Sequence, residues 1–192
     1  MVRRTDTRQR MLDTAADLFH SQGYHATGLT QLTTAGGAPK GSLYFHFPGG
    51  KEQLAAEAVR LSSERTGALL EAILRDAPDA PAAIDRAVGA LADFLTESDF
   101  QRGCPIATVA LDAAAASEPI REACADGYSS WHGILAAYFA TQRLSAEHAD
   151  ELATVVLAAI EGGLLLARTR RDVAPLRAVA AHLHATLDRE LS

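Results

Sequence analysis

An all-α protein of about nine helices is the fold this sequence predicts. Two observations carry the prediction. No segment sustains the period-two alternation of a half-buried strand, and apolar residues recur three and four apart along almost the whole chain. Glycines and prolines also fall between those stretches, where chain breaks are needed. The chain has 192 residues and is 48% hydrophobic, enough for a packed core and for a small module beside a larger one.

The first helix is expected over 5–22, with Met11, Leu12, Ala15, Ala16, Leu18 and Phe19 on one face and Arg8, Arg10, Asp13 and Asp17 largely opposite. Gly23 is its stop, and Tyr24 is placed to fold back on its end. Thr27 reads as the cap of a short second helix that turns Leu29 and Leu32 inward. Gly36-Gly37 forms the next turn. Pro39 suits the first turn of a third helix, which ends near Phe47-Pro48 because proline restricts the residue before it. A long fourth helix is expected from Lys51 to about Asp76, and the DAPDAP segment at 76–81 breaks it. Ile84, Val88, Leu91 and Leu95 mark a fifth helix, and Cys104-Pro105 opens a short alanine-rich sixth. The seventh runs from Pro119 to Thr141, the eighth follows a Ser145 cap to about Thr169, and Pro175 opens the ninth.

The net charge of −6 hides an asymmetry. Residues 1–51 hold six Lys/Arg against three Asp/Glu, a surplus of +3, and the remainder is −9. Both lysines of the chain, Lys40 and Lys51, lie in that first part. A basic segment on an otherwise acidic chain is the charge footprint of a nucleic-acid-binding end. Arg3, Arg4 and Arg8 read as a basic arm that tracks phosphates. Cys104 and Cys124 lack CxxC spacing and a nearby histidine pair, so no zinc site is expected. Only Arg102 offers Cys104 an activating charge nearby in sequence, which disfavours a redox role. The N-terminus leads into an amphipathic helix and not an apolar signal core, and the apolar runs are interrupted by Glu161 or glycines, so a cytoplasmic protein is expected. Enzyme signatures are missing: GYSSW lacks the last glycine of GxSxG, and there is no P-loop and no HExxH. His182 and His184, two apart on a helix, make a poor metal pair. No cofactor and no metal are expected.

Residues 27–54, TGLTQLTTAGGAPKGSLYFHFPGGKEQL, read as two short helices around a glycine turn and then a new helix start. That is the grammar of a DNA-reading helix-turn-helix. The third helix is too short to persist alone, so packing must hold it, and Leu43 and Phe47, four apart, are the anchors. Ser42, Tyr44, Phe45 and His46 then populate the remaining surface with types suited to phosphate hydrogen bonds, base edges and thymine methyls. Gly41 lets the backbone come close to DNA. Lys51 stands at a helix start, where backbone N–H groups and the dipole also favour a phosphate.

Thr27, Leu32, Ala35, Gly36, Lys40-Gly41, Leu43-Tyr44, Phe47 and Lys51-Glu52 together resemble the N-terminal signature of the TetR family of bacterial regulators. The resemblance implies a three-helix DNA-binding head over 1–50, a ligand-binding and dimerisation body over 51–192, and release of the operator when a small molecule binds. It assigns DNA contacts to Thr27, Lys40, Gly41, Ser42, Tyr44, His46 and Lys51. Phe45 falls at a position that varies in the family and is a candidate for sequence discrimination. Two departures matter: Pro39 stands where many members have serine, and FPGGKE carries one more residue than FxxKE. That extra residue and GCPIATVALDAA at 103–114 are similar to the LmrA/YxaF-like subgroup, whose members respond to antibiotics or flavonoids and typically control export or detoxification genes. Only the broad ligand class, an apolar and aromatic small molecule, is carried over.

In the body, Phe94, Phe100, Cys104, Tyr128, Trp131, His132 and Tyr138 are candidates to line a ligand pocket, although aromatic residues at helical spacing are ordinarily core. Trp131-His132 stands first, a stacking surface beside an imidazole. Gly162-Gly163 inside a helix costs about 1 kcal/mol per glycine relative to alanine, so a close helix approach should compensate. The expected approach is across a homodimer in which the last two helices, with Val155, Leu157, Ile160, Leu164, Leu183 and Leu187, form a four-helix interface. Intrachain packing of the same stripe is the alternative. The sequence thus predicts a dimeric, ligand-responsive repressor of a palindromic operator in double-stranded DNA. The competing reading is a small-molecule binding protein that keeps the helix-turn-helix without meaningful DNA affinity.

Overall fold

The computed structural model describes the backbone of residues 2–142 and 144–191, and side chains from residue 6 onward apart from Arg143. The described residues form nine α-helices and no strand: α1 (Val2–Gln22), α2 (Leu29–Ala35), α3 (Lys40–His46), α4 (Gly50–Asp76), α5 (Ala80–Glu97), α6 (Pro105–Ala113), α7 (Glu118–Ala140), α8 (Ala146–Arg170) and α9 (Ala174–Leu191). Their breaks have the expected chemistry. Gly23 ends α1 at φ +83 with its N–H donated to Phe19 O at 2.9 Å, and the Tyr24 ring folds back to 5.9 Å from Phe19. Asp79 caps α5 by accepting the Ala82 N–H at 2.8 Å, and Ser145 caps α8 by accepting that of His148 at 3.2 Å.

The second helix starts differently from the sequence expectation. Its N-cap is Gly28, which makes no side-chain cap, while Thr27 is fully buried and donates its hydroxyl back to Gly23 O at 2.7 Å. Thr27 therefore ties the start of α2 to the end of α1. Pro39, in turn, precedes α3 as its N-cap residue instead of lying inside its first turn.

Contacts divide the chain into two compact units. One comprises the residues up to Glu64 together with Pro105–Tyr128; the other comprises Arg65–Cys104 and the residues from Ser129 on. This division does not follow the boundary at 50/51 suggested by the sequence, because α6 packs against α1 within the first unit. The core of that unit is built on Met11, Ala15 and Phe19 of α1, Leu32 of α2, Leu43 and Phe47 around α3, Leu54 and Ala58 of α4, and Ile106 and Val109 of α6, all buried. Its tightest point is Gly127 on α7: a Cβ there would lie 2.6 Å from Ile106 Cδ1 and 2.8 Å from Ser63 Oγ. Helices α4, α6 and α7 meet at that point only because the side chain is missing.

In the second unit α9 packs on both α5 and α8. Ile84, Val88 and Leu95 of α5, Leu152, Val156 and Leu164 of α8, and Leu176, Leu183 and Leu187 of α9 are buried there. The close approach that accommodates Gly163 lies within the chain, since its missing Cβ would stand 3.1 Å from Val179 Cγ2 and 3.4 Å from Leu176 Cδ2. Of the residues expected at a dimer interface, Leu164, Leu183 and Leu187 are thus intrachain core, and Leu157 and Ile160 are half-buried. Val155 is 57% exposed, and Leu165 and Leu166 share its outward face with exposed Gly162. The structure corrects the expected stripe: the apolar face left outside runs through Val155, Gly162, Leu165 and Leu166.

Candidate nucleic-acid interface and effector region

Helix α3 is seated by Leu43 and Phe47, both wholly buried. That seat satisfies the requirement for packing in a seven-residue helix and fixes which side faces out. Tyr44 and Phe45 are 51% and 56% exposed, Lys40 and Gly41 are exposed, and Ser42 and His46 are half-buried. The structure therefore brings six of the eight expected DNA-contacting residues onto one outer surface. The Tyr44 ring lies alongside Gly50 (φ +66), where a Cβ would stand 3.3 Å from Tyr44 Cε1. The Phe45 and His46 rings meet edge to face, with centroids 5.0 Å apart and planes at 77°.

Lys51 is half-buried, with its Nζ 4.2 Å from the centroid of the Tyr24 ring. Burial lowers the pKa of its ammonium, and the negative charge of Asp112 opposes that shift. The group is thus held by Tyr24 at the start of α4. Asp112 on α6 also accepts the backbone N–H of His25 at 2.6 Å, and Ser117 donates to Glu52 Oε1 at 2.6 Å. Sequence reasoning missed these supports of the turn after α1 and of the first turn of α4. Eighty-seven residues separate Asp112 from His25, so no local pattern announces the contact.

Two expectations change here. Thr27 has no exposed surface and its hydroxyl is engaged with Gly23, so it positions the motif and does not face DNA. Arg8 pairs with Glu57 and lies 4.9 Å from the centroid of the Phe47 ring, which makes it part of the support of α3 and not an arm on phosphates. The side chains of Arg3 and Arg4 lie outside the described residues.

Of the body candidates, Trp131 is buried and packs where α4 passes α7 at Gly67, whose missing Cβ would stand 3.6 Å from Trp131 Cδ1. His132 directs Nε2 to Thr154 Oγ1 at 3.0 Å and Asp150 O at 3.1 Å, so its ring bridges α7 to α8. Burial, and secondarily the charge of Asp79, raise the pKa of Tyr138. Phe94 is exposed, Phe100 and Tyr128 are half-buried, and Cys104 is buried. Phe100 also adopts φ +61 beside Asp99 at φ +51, an uncommon conformation for residues other than glycine. A groove of about 570 Å³ lies between α5 and α9, lined by Asp85, Val88, Gly89, Ala92, Asp93, Arg177, Ala180, Ala181 and His184; none of the seven candidates borders it. Among the described residues no cluster of His, Cys, Asp or Glu is arranged to hold a metal ion, and His184 instead meets Asp85 at 2.8 Å.

A seated recognition helix in a helix-turn-helix head, followed by a larger helical body, defines a DNA-binding transcriptional regulator. The chain belongs to the TetR family. The family model described as "Bacterial regulatory proteins, tetR family" matches residues 11–58, and "Transcriptional regulator LmrA/YxaF-like, C-terminal domain" matches residues 80–182. The HTH-type transcriptional regulator YxaF of Bacillus subtilis (strain 168) is 37% identical over 183 residues, covering 95% of this chain and 96% of that protein. LmrA of the same organism is 39% identical over 171 residues, covering 89% and 91%. A TetR transcriptional regulator from Legionella pneumophila shares the fold with a TM-score of 0.82 at 24% identity, covering 93% of this chain and 95% of its own. The chain is accordingly a soluble regulator and not an enzyme. Helix α8, long and apolar enough to cross a membrane by length and composition alone, is a partly buried helix of that regulator.

Proposed function

We propose that this regulator is a cytoplasmic, dimeric repressor that leaves a palindromic operator when an apolar, aromatic small molecule binds its body. The observation that carries the DNA half of this reading is the exposure of Tyr44 and Phe45 on a helix whose opposite side, Leu43 and Phe47, is wholly buried. An isolated soluble head gains nothing from displaying two aromatic rings together unless a partner covers them. Lys40, Gly41, Ser42, Tyr44, Phe45, His46 and Lys51 make up the contact set, with residues 1–50 as the reading head and 51–192 as the body. The LmrA/YxaF-like match over the body favours a small-molecule effector, for which Phe94, Phe100, Cys104, Tyr128, Trp131, His132 and Tyr138 remain the candidates. The outward face of α8 through Val155, Leu165 and Leu166 is the surface on which a second copy would pack.

Titration of the full chain against duplex DNA from upstream of its own coding sequence tests the reading, with salt varied and flavonoids or other apolar aromatic compounds added. Binding that weakens steeply with salt and is relieved by one of those compounds is expected. Compound binding without any salt-dependent DNA complex would overturn it.

A further inference from the structure

We infer that Phe45 reads the 5-methyl group of a thymine and that this apolar contact lies at the centre of each head's footprint on DNA. The inference rests on the DNA-binding reading above and adds the kind of base that α3 selects. Successive residues of an α-helix step by about 100°, so Phe45 stands about 180° from the midpoint of the buried pair Leu43 and Phe47. Its side chain, 56% exposed, therefore points away from the side on which the helix is seated. Lys40 and Tyr44 fall to one side of it, and Ser42 and His46 to the other, which places hydrogen-bonding and charged groups on both flanks.

Phenylalanine carries no donor or acceptor and cannot use the hydrogen-bond code of the major groove. The one apolar group that a base pair presents there is the thymine methyl. The surroundings of the ring favour such a contact. Gly41 lies one turn before Phe45 on the same side, and a Cβ built on it would meet nothing within 4 Å. Helical side chains lean towards the N-terminus, so Phe45 leans towards the turn that carries Gly41, where no side chain competes for the space. The edge-to-face contact with His46, at 5.0 Å between centroids, limits how far the ring can turn away.

The test uses the 192-residue chain and a duplex that it recovers from a randomised-sequence library. Each thymine of that duplex is replaced singly by deoxyuridine, which removes the methyl and leaves the pairing and the groove acceptor in place. For the wild-type protein, one position in each half of the site is expected to lose roughly fourfold in affinity, the effect of uncovering one methyl-sized group. The Phe45→Ala protein, with unchanged circular dichroism, is expected to bind the thymine and deoxyuridine duplexes equally well. Wild-type binding indifferent to every replacement would overturn the inference while leaving the DNA-binding reading intact, as would equal sensitivity in the two proteins. Recovery of no duplex at all would overturn both.

Discussion

The carboxylate of Asp112 on α6 accepts the backbone N–H of His25 at 2.6 Å, joining the sixth helix to the turn that follows the first. The same oxygen would lie 3.0 Å from a Cβ on Gly23, whose φ of +83 in any case favours glycine in that turn. Replacement of Asp112 by alanine removes a charge-assisted bond at an exposed site, and about 1 kcal/mol of stability should be lost. Operator affinity should fall with it, because the turn that carries α2 is no longer tied down. Thermal unfolding and DNA titration of D112A are the checks; unchanged values in both would show that the contact supports nothing.

Thr27 and Lys51 should separate positioning from gripping. Thr27→Val leaves a buried carbonyl of Gly23 without its donor, and about 1–2 kcal/mol of stability should be lost while the salt dependence of DNA binding keeps its slope. Lys51→Gln should lower the slope by about 1 for each head. A reduced slope in T27V would return Thr27 to the interface.

The outward face of α8 should hold the dimer together. A carboxylate at Leu165, now 54% exposed, would have to be desolvated wherever two copies pack on that face. Sedimentation of Leu165→Glu should give a monomer with native helix content, and an unchanged dimer would move the interface elsewhere.

Burial pushes the Cys124 thiol up to about 11 from an ordinary value of 9.0. In the unfolded chain the thiol loses its proton first, so above about pH 9 the native state binds more protons than the unfolded one and stability falls as pH rises. Burial also raises Tyr24 and Tyr138, which act in the same direction, so comparison with Cys124→Ala isolates the thiol. Native protein at pH 8 should resist alkylation at Cys124 and react promptly in denaturant. A fast native adduct would show the site to be open.

The parts legible in the sequence are those governed by local spacing. Leu43 and Phe47 lie four apart, and that interval alone put them on the seated side of α3, where both are buried. Gly23, Ser145 and the 76–81 break announce themselves by their own backbone chemistry. A hydroxyl before a helix ordinarily caps it, whereas at Thr27 the geometry of the α1–α2 turn directs that hydroxyl to Gly23 O. For Gly162-Gly163 a sequence shows that a helix must come close but not which one, so packing across a dimer and packing within the chain both fit it; at Gly163 it is Val179 and Leu176 of the same chain that approach. The bracing of Lys51 by Tyr24 and of His25 by Asp112 depends on long-range packing, to which no periodicity corresponds.

In the proposed function, α3 reads DNA through the side opposite Leu43 and Phe47. Its most direct test is the affinity of Tyr44→Ala for a duplex bound by the wild-type protein, measured by fluorescence anisotropy on material with native circular dichroism and native sedimentation. Loss of the salt-dependent complex is the result expected. Undiminished affinity in a folded Tyr44→Ala protein would contradict the account.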